Sequence, residues 1–293
     1  MHLRRQRVVF PERRRGGMHG ATSLTRERGN HRMLSTAARN RFVDKHVIVS
    51  GGAAGVGGAA VELFAQEGAK VTVVDRQEAA GQALAASINQ RGGQATFVRA
   101  DVSDPAAITA AVNHARATFG DADVLYEHAG QTIVKPFLDN TLEDWNQLIA
   151  INLTSMFLMT KAVLPGMLAK GKGVIVNTSS VSAELATPME VLYCTTKAAC
   201  HMFTKAIATE YRDQNIRCNA VAPGFIRTAH GLREIDDLRR YGVTVQEQDI
   251  ADMQGRICEP EEVARAALFL ASDEASFVNG ECLFVDNGIM VRT

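Results

Sequence analysis

The 293-residue sequence predicts a doubly wound α/β fold, a single parallel sheet with helices on both faces, and three observations predict it. Short β-branched runs recur from residue 44 onward without the polar alternation of a strand that has one wet face. Ala-rich stretches of helical period separate these runs, each long enough for a crossover helix. The first run passes directly into a glycine-rich turn that opens a helix.

The strands expected in order are HVIVS (46–50), KVTVVD (70–75), ATFVRAD (95–101), ADVLYE (122–127), GVIVNTS (173–179), IRCNAVAP (216–223) and ECLFVD (281–286). Between them VGGAAVELFAQEG (56–68), PAAITAAVNHARATFG (105–120) and AACHMFTKAIATEYRDQ (198–214) place apolar residues three and four apart, the period of a crossover helix. Asp104 before Pro105 reads as an N-cap followed by proline at the first helical position, and Gly68 and Gly120 sit where helices should stop. No internal repeat and no linker follow residue 44, so residues 44–293 are expected to form one domain.

A hydrophobic content of 46% with 22% charged residues is ordinary for a soluble enzyme. No run approaches the ~18 apolar residues of a membrane helix, so no membrane partner is expected. The net charge of zero conceals a split: residues 1–43 hold eleven Arg against Glu12 and Glu27, and the remainder is correspondingly acidic. Such a start suits a transit-type segment, a basic arm for nucleic acid, or an upstream start preceding Met18 or Met33. Lacking a core-forming pattern, it is expected to be a disordered extension, and no nucleic-acid partner is assigned. Five cysteines without a CxxC pair point to a reducing, cytoplasmic setting without structural disulfides. Eight scattered histidines without ligand spacing give no reason to expect a metal.

Ser50-Gly51-Gly52-Ala53-Ala54-Gly55-Val56-Gly57 follows the first strand directly. Glycines there let the backbone approach a pyrophosphate, whose charge meets the free amides of a helix N-terminus. The second strand ends at Asp75, about 20 residues on, where a carboxylate accepts hydrogen bonds from the adenosine ribose and repels a 2′-phosphate. NAD is therefore the expected cofactor over NADP, although the adjacent Arg76 offers a phosphate partner. Tyr193 and Lys197 lie four apart on one helical face, where an ammonium lowers a phenol's pKa and makes it a general base.

With these surroundings the chain closely resembles the short-chain dehydrogenase/reductase family over residues 44–293, which implies a Rossmann fold. Ser50-Gly51 through Gly57 is similar to the family's T-G-x-x-x-G-x-G turn, with Ser for Thr. Asp101-Val102 resembles its adenine-contacting pair, and Ala129-Gly130 the end of its N-N-A-G segment. Asn152, Ser180, Tyr193 and Lys197 match its catalytic tetrad, Ser180 standing thirteen residues before the tyrosine. Pro223-Gly224-Phe225-Ile226-Arg227-Thr228 is similar to its P-G loop. The resemblance implies that Tyr193 takes the alcohol proton, Ser180 steadies the substrate oxygen, Lys197 binds the nicotinamide ribose, and Asn152 holds a proton-relaying water. It implies that Gly55, Val56, Ile226 and Thr228 also touch the cofactor, Thr228 at the carboxamide, and that the protein is a homotetramer built partly on helices near 145–169 and 193–211. Read on their own residues, Asn152 could satisfy local backbone groups, Ser180 could end a strand, and Thr228 could cap a helix.

Residues 230–256 fall where the family places a substrate lid, and Leu232, Ile235, Leu238 and Tyr241 recur at helical spacing. With Leu185, Met189, Val191 and Leu192 they suggest a mostly apolar secondary alcohol or ketone as substrate, and Arg233, Asp236, Asp237, Arg239 and Arg240 are expected to face water. The alternatives are an NADPH-dependent ketoreductase of the 3-oxoacyl reductase type and a catalytically silent dinucleotide-binding regulator. One segment departs from the family: Glu127-His128 stands where Asn-Asn is usual. Alternation along a strand sends these two side chains to opposite faces, so each is expected to find its own structural partner.

Overall fold

The computed structural model describes residues 40–291, and among them seven strands form. They are β1 (His46–Ser50), β2 (Lys70–Asp75), β3 (Gln94–Arg99), β4 (Val124–Glu127), β5 (Gly173–Thr178), β6 (Ile216–Pro223) and β7 (Cys282–Val285). They pair in the order β3-β2-β1-β4-β5-β6-β7, and every pairing is parallel. Each lies where the β-branched runs placed it, with ends moved by two residues at most.

The unbroken apolar runs have a direct structural cause, since successive side chains enter two separate cores. Val47, Val49, Val71, Val73, Tyr126 and Val176 face one cluster, completed by α1 (Gly55–Gln66) and α9 (Pro260–Ala271). Ile48, Val74, Leu125, Ile175 and Cys218 face the other, covered by α3 (Pro105–Phe119) and α5 (Ser155–Lys170), with Ala208 from α6 (Val191–Glu210). Asp104 caps α3 by accepting from Ala106 N, with Pro105 in the first turn, and Gly120 closes it at φ +84°. The chain reverses after α1 at Gly68, φ +91°.

Two helices that the spacing does not single out also form. One is α2 (Glu78–Gln90), whose buried side is the narrow Gly81, Ala85, Ile88 stripe; the other is α9, begun by a Glu259–Glu262 capping box and Pro260. α4 (Leu142–Ile149) starts at a Thr141–Asp144 capping box and runs through a π turn, Ala150–Thr154, into α5. The resulting helix, Leu142–Lys170, has a mean hydropathy of 1.5 and by length and composition could cross a membrane, contrary to the estimate from apolar runs. Met156, Met159, Val163, Leu164 and Met167 are buried along it, which is the packing of a core helix.

The folded body begins before residue 44. Phe42 is 2% exposed and meets Phe64 edge-on at 4.9 Å, while Arg41 pairs with Glu67 at 3.0 Å and Glu274 at 3.3 Å. The extension expected over 1–43 thus ends earlier, and its first 39 residues lie outside the described ones. Truncating a buried phenylalanine removes its transfer energy and leaves a cavity, so Phe42→Ala should lower unfolding free energy by about 3–5 kcal/mol, read by urea denaturation. A loss well under 1 kcal/mol would mean that residues 40–43 are dispensable to the core.

Candidate active site

Crossovers leave β1 and β4 in opposite directions, so a crevice opens at their carboxyl ends. Ser50 Oγ spans it, accepting from His128 N at 3.1 Å and Ala129 N at 3.3 Å. Gly51, at φ +66°, lies so close to β4 that an added Cβ would stand 2.8 Å from Ala129 Cα. At Gly55, φ +56°, an added Cβ would meet only the Thr228 side chain, its methyl at 3.4 Å, so this part of the turn is much less crowded than Gly51. Val56 is 1% exposed and points into the core, so its contribution to a ligand is limited to backbone; Gly57 is buried beside it in the first turn.

α1 has no side-chain cap, leaving its first amides for an anion. Asp75 is buried at the end of β2, its Oδ2 accepting from Ala53 N at 3.0 Å and its Oδ1 from Gln77 N at 2.9 Å. Arg76 is exposed beside it. Asp101 turns onto Ser103, accepting from the amide at 2.9 Å and the hydroxyl at 2.7 Å; these bonds, and more weakly Arg76, hold its carboxyl below the usual range. Val102 is buried next to it. A glycine cradle, an uncapped helix start and a fixed carboxylate together fit a dinucleotide.

Beyond the switch, Ser180 follows β5 and accepts from Ser182 N at 3.1 Å, capping a short turn as its residue type suggests, while its hydroxyl bonds to the Tyr193 phenol. Tyr193 lies in the first turn of α6, and Lys197 one turn later places Nζ 5.6 Å from the phenol ring centre. Lys197 Nζ donates to Thr178 O at 2.8 Å, and burial lowers its pKa. The expected lowering of the Tyr193 pKa is not what this arrangement produces. Burial and then the charge of Glu234 push the phenol upward, against the Ser180 hydrogen bond.

Asn152 sits in the π turn and is 2% exposed. Its Oδ1 accepts from Gln131 N at 2.8 Å, and its Nδ2 donates to Gln131 O at 2.8 Å and Thr196 Oγ1 at 3.0 Å. Both amide donors are thus committed to protein groups, and the local backbone role weighed from sequence is realised; only a second lone pair on Oδ1 remains for a water. Gly130 faces Asn152 Oδ1 and the Lys197 ammonium, each 3.6 Å from where its Cβ would stand. Pro223 ends β6 and Gly224 follows. Ile226 bridges Cys258 and packs against the first core, and Thr228 Oγ1 accepts from Gly231 N at 3.1 Å, capping α7 (Ala229–Arg240) while leaving its proton to donate.

The 230–256 segment forms two helices, α7 and α8 (Glu247–Gln254), instead of one with a single apolar face. Ile235 packs on Ile250 and Ile257 in a small core of the lid itself, whereas Leu232 and Tyr241 are exposed, as are Leu185 and Val191. Arg233, Asp236, Arg239 and Arg240 face solvent as expected, with Asp237 half-buried. Missing from the expected site were Glu190, Glu234 and His230. Glu190 precedes α6, and Glu234 and His230 come from α7. Burial raises the pKa of both carboxyls, which share a hydrogen bond, and burial with Lys197 and Arg233 takes His230 down to about 4. No signal in the sequence joins positions 190 and 234; only the fold does.

Glu127 and His128 each have a partner of their own, as strand alternation requires. Thr160 Oγ1 donates to Glu127 Oε1 at 2.8 Å on one face, and His128 Nδ1 meets Thr178 Oγ1 at 3.1 Å on the other. Burial lifts Glu127 well above the carboxylate range, and burial, Lys197 and His230 bring His128 down to about 3.

A family model described as enoyl-(acyl carrier protein) reductase matches residues 51–290. The chain is 36% identical over 251 residues to 2,5-dichloro-2,5-cyclohexadiene-1,4-diol dehydrogenase of Sphingobium indicum, covering 85% of this chain and 97% of that protein. To cyclopentanol dehydrogenase of Comamonas testosteroni it is 39% identical over 248 residues, 85% and 98% of the two chains. Among solved structures, a gluconate 5-dehydrogenase from Burkholderia cenocepacia in complex with NADP and tartrate superimposes with a TM-score of 0.80 at 31% identity, covering 87% and 99%. The chain belongs to the short-chain dehydrogenase/reductase family. It is an oxidoreductase that uses a nicotinamide cofactor and acts on the CH–OH group of secondary alcohols or the matching ketones.

The Glu127 environment gives a stability prediction with a definite sign. Between the ordinary carboxylate pKa and its raised folded value, the folded chain keeps a proton that the unfolded chain has lost, so Glu127 subtracts stability as pH rises. Glu127→Gln should therefore gain melting temperature relative to wild type as pH is raised from about 5 to about 8. A gap that stays constant with pH would show that folding does not raise the Glu127 carboxyl, and a shifted pH profile of turnover would place Glu127 in the proton circuit.

Proposed function

We propose that the protein is an NAD-linked dehydrogenase of a mostly apolar secondary alcohol, with Tyr193 as general base in oxidation and general acid in reduction. The observation that carries this reading is the meeting of the Tyr193 phenol, the Ser180 hydroxyl and the Lys197 ammonium beside the glycine turn. Ser180 holds the substrate oxygen and donates to the charge that develops on it. As a phenolate, stabilised by the buried cation of Lys197, Tyr193 Oη accepts the hydroxyl proton and becomes the neutral phenol. Asn152 is a positioning residue that ties the 130–131 turn to α6 through Gln131 and Thr196. When bound, the nicotinamide supplies the hydride acceptor or donor.

Ser50, Gly51, Gly55, Gly57 and the backbone of Val56 hold the dinucleotide phosphates, Val102 and Asp101 the adenine, Ala129 and Gly130 the ribose side, and the Pro223–Thr228 loop the nicotinamide. Asp75 selects NAD, because a carboxylate fixed by two amides repels a 2′-phosphate. The second reading, an NADPH-dependent ketoreductase, draws on the exposed Arg76 and on the solved relative in complex with NADP. A homotetramer is supported by exposed Phe157 on α5 and Met202 on α6, and a cytoplasmic location by five free cysteines; the basic start is assigned no nucleic-acid role.

Tyr193→Phe should abolish turnover of secondary alcohols yet keep NAD affinity within a few-fold, as measured by cofactor reduction and by calorimetry; near-normal turnover would remove Tyr193 from the chemistry. Asp75→Ala should raise the ratio of catalytic efficiency with NADP to that with NAD by at least about tenfold, a difference of about 1.4 kcal/mol. An unchanged ratio would show that another group discriminates. Light scattering at micromolar concentration should return four times the chain mass, and a monomer mass would contradict the assembly.

A further inference from the structure

Two carboxyl groups, the buried Glu190 and the half-buried Glu234, stand beside the phenol, in a position where the proposed reaction has no use for them. Glu190 is 1% exposed and stands three residues before Tyr193, so the two side chains lie on neighbouring positions where α6 begins. Met189, immediately before it, sits at φ +67°, a conformation that a Met side chain disfavours, and is held there by Lys135 N donating to its carbonyl at 2.9 Å. Glu234 arrives from α7 and shares a hydrogen bond with Glu190. Glu190 Oε1 is buried with no protein donor. A buried carboxyl oxygen without a partner is destabilising unless something else fills the position.

The chemistry of the surroundings narrows what that partner is. The pair lies close enough to Tyr193 for Glu234 to be the leading charge acting on the phenol. Burial raises both carboxyls, so together they retain a proton and present a donor as well as an acceptor. A substrate carboxylate would meet the remaining negative charge. An ammonium beside Tyr193 would face the Lys197 ammonium, which stands 5.6 Å from the phenol ring centre. A plain hydrocarbon would leave Oε1 unpaired. A hydroxyl suits all of these, since it donates to Oε1 and brings no charge of its own.

We propose that Glu190 and Glu234 recognise a second hydroxyl of the substrate, on the carbon next to the one oxidised, so that vicinal diols and their α-hydroxy ketones are the preferred class. The inference rests on the dehydrogenase reading of Tyr193 and Ser180. The oxidised carbinol sits between those two residues, and its neighbour reaches the carboxyl pair one helical turn away. Glu190 and Glu234 are specificity residues and take no part in the proton or hydride steps.

The test compares cis-cyclopentane-1,2-diol with cyclopentanol in the full-length wild-type protein, Glu190→Leu and the shape-preserving Glu234→Gln. Catalytic efficiency with NAD is one readout, and calorimetric binding of each alcohol to the protein saturated with NADH is the other. Wild type should favour the diol by at least about tenfold in both, and the preference should collapse toward unity in whichever variants fold. Equal handling of the two alcohols by wild type, a ratio unmoved by both substitutions, or tighter binding of trans-2-aminocyclopentanol than of the diol would overturn the proposal. If no alcohol is oxidised, the dehydrogenase reading fails, and the binding ratio still decides on the hydroxyl site.

Discussion

The site depends on the bond network that joins β1 to β4 at the sheet's switch point. Parallel strands fed by crossovers in opposite directions leave a crevice there, and Ser50 Oγ closes its floor by accepting two amides of the neighbouring strand. Those amides, of His128 and Ala129, would otherwise be buried donors without partners, a cost of about 1–3 kcal/mol each. The same approach of strands leaves no room for a side chain at residue 51. Once the floor is set, everything else is carried in on strand ends: Asp75 on β2, Ser180 after β5, the Pro223–Thr228 loop after β6.

Burial then decides the electrostatics. His128 and His230 are both held neutral by desolvation and by Lys197, so that Lys197 is the cation beside the phenol. The Glu190–Glu234 pair, pushed toward protonation, keeps less negative charge than two free carboxylates would. Against Tyr193, burial and Glu234 outweigh the Ser180 hydrogen bond, leaving the phenol protonated at neutral pH. A protonated phenol is the form that donates to a ketone oxygen, and proton removal from an alcohol requires the opposite state.

The fold was largely legible because its signals are local. β-branched runs with no polar alternation announce strands buried on both faces, and the glycine turn after the first of them announces the ligand-binding end. What was not legible depends on contacts distant in sequence. Glu234 lies in a charge-rich stretch whose neighbours Arg233 and Asp236 do face water, and only the fold brings it, half-buried, to Glu190. Asn152 read as an interruption of an apolar helix; the structure widens the helix by a π turn at that point, which turns the amide toward Gln131. The lid divided into two helices because Ile235, Ile250 and Ile257 found one another, a pairing that helical spacing over a single segment does not encode.

The most direct measurement follows the hydride itself. Cyclopentanol or cis-cyclopentane-1,2-diol deuterated at the carbinol carbon is incubated with the protein and NAD, and the cofactor is examined by proton NMR. Deuterium on one face of the nicotinamide C4, with the matching ketone formed in equal amount, is the expected result. Ketone formed without deuterium in the cofactor, or no transfer from any secondary alcohol with either dinucleotide, would contradict it.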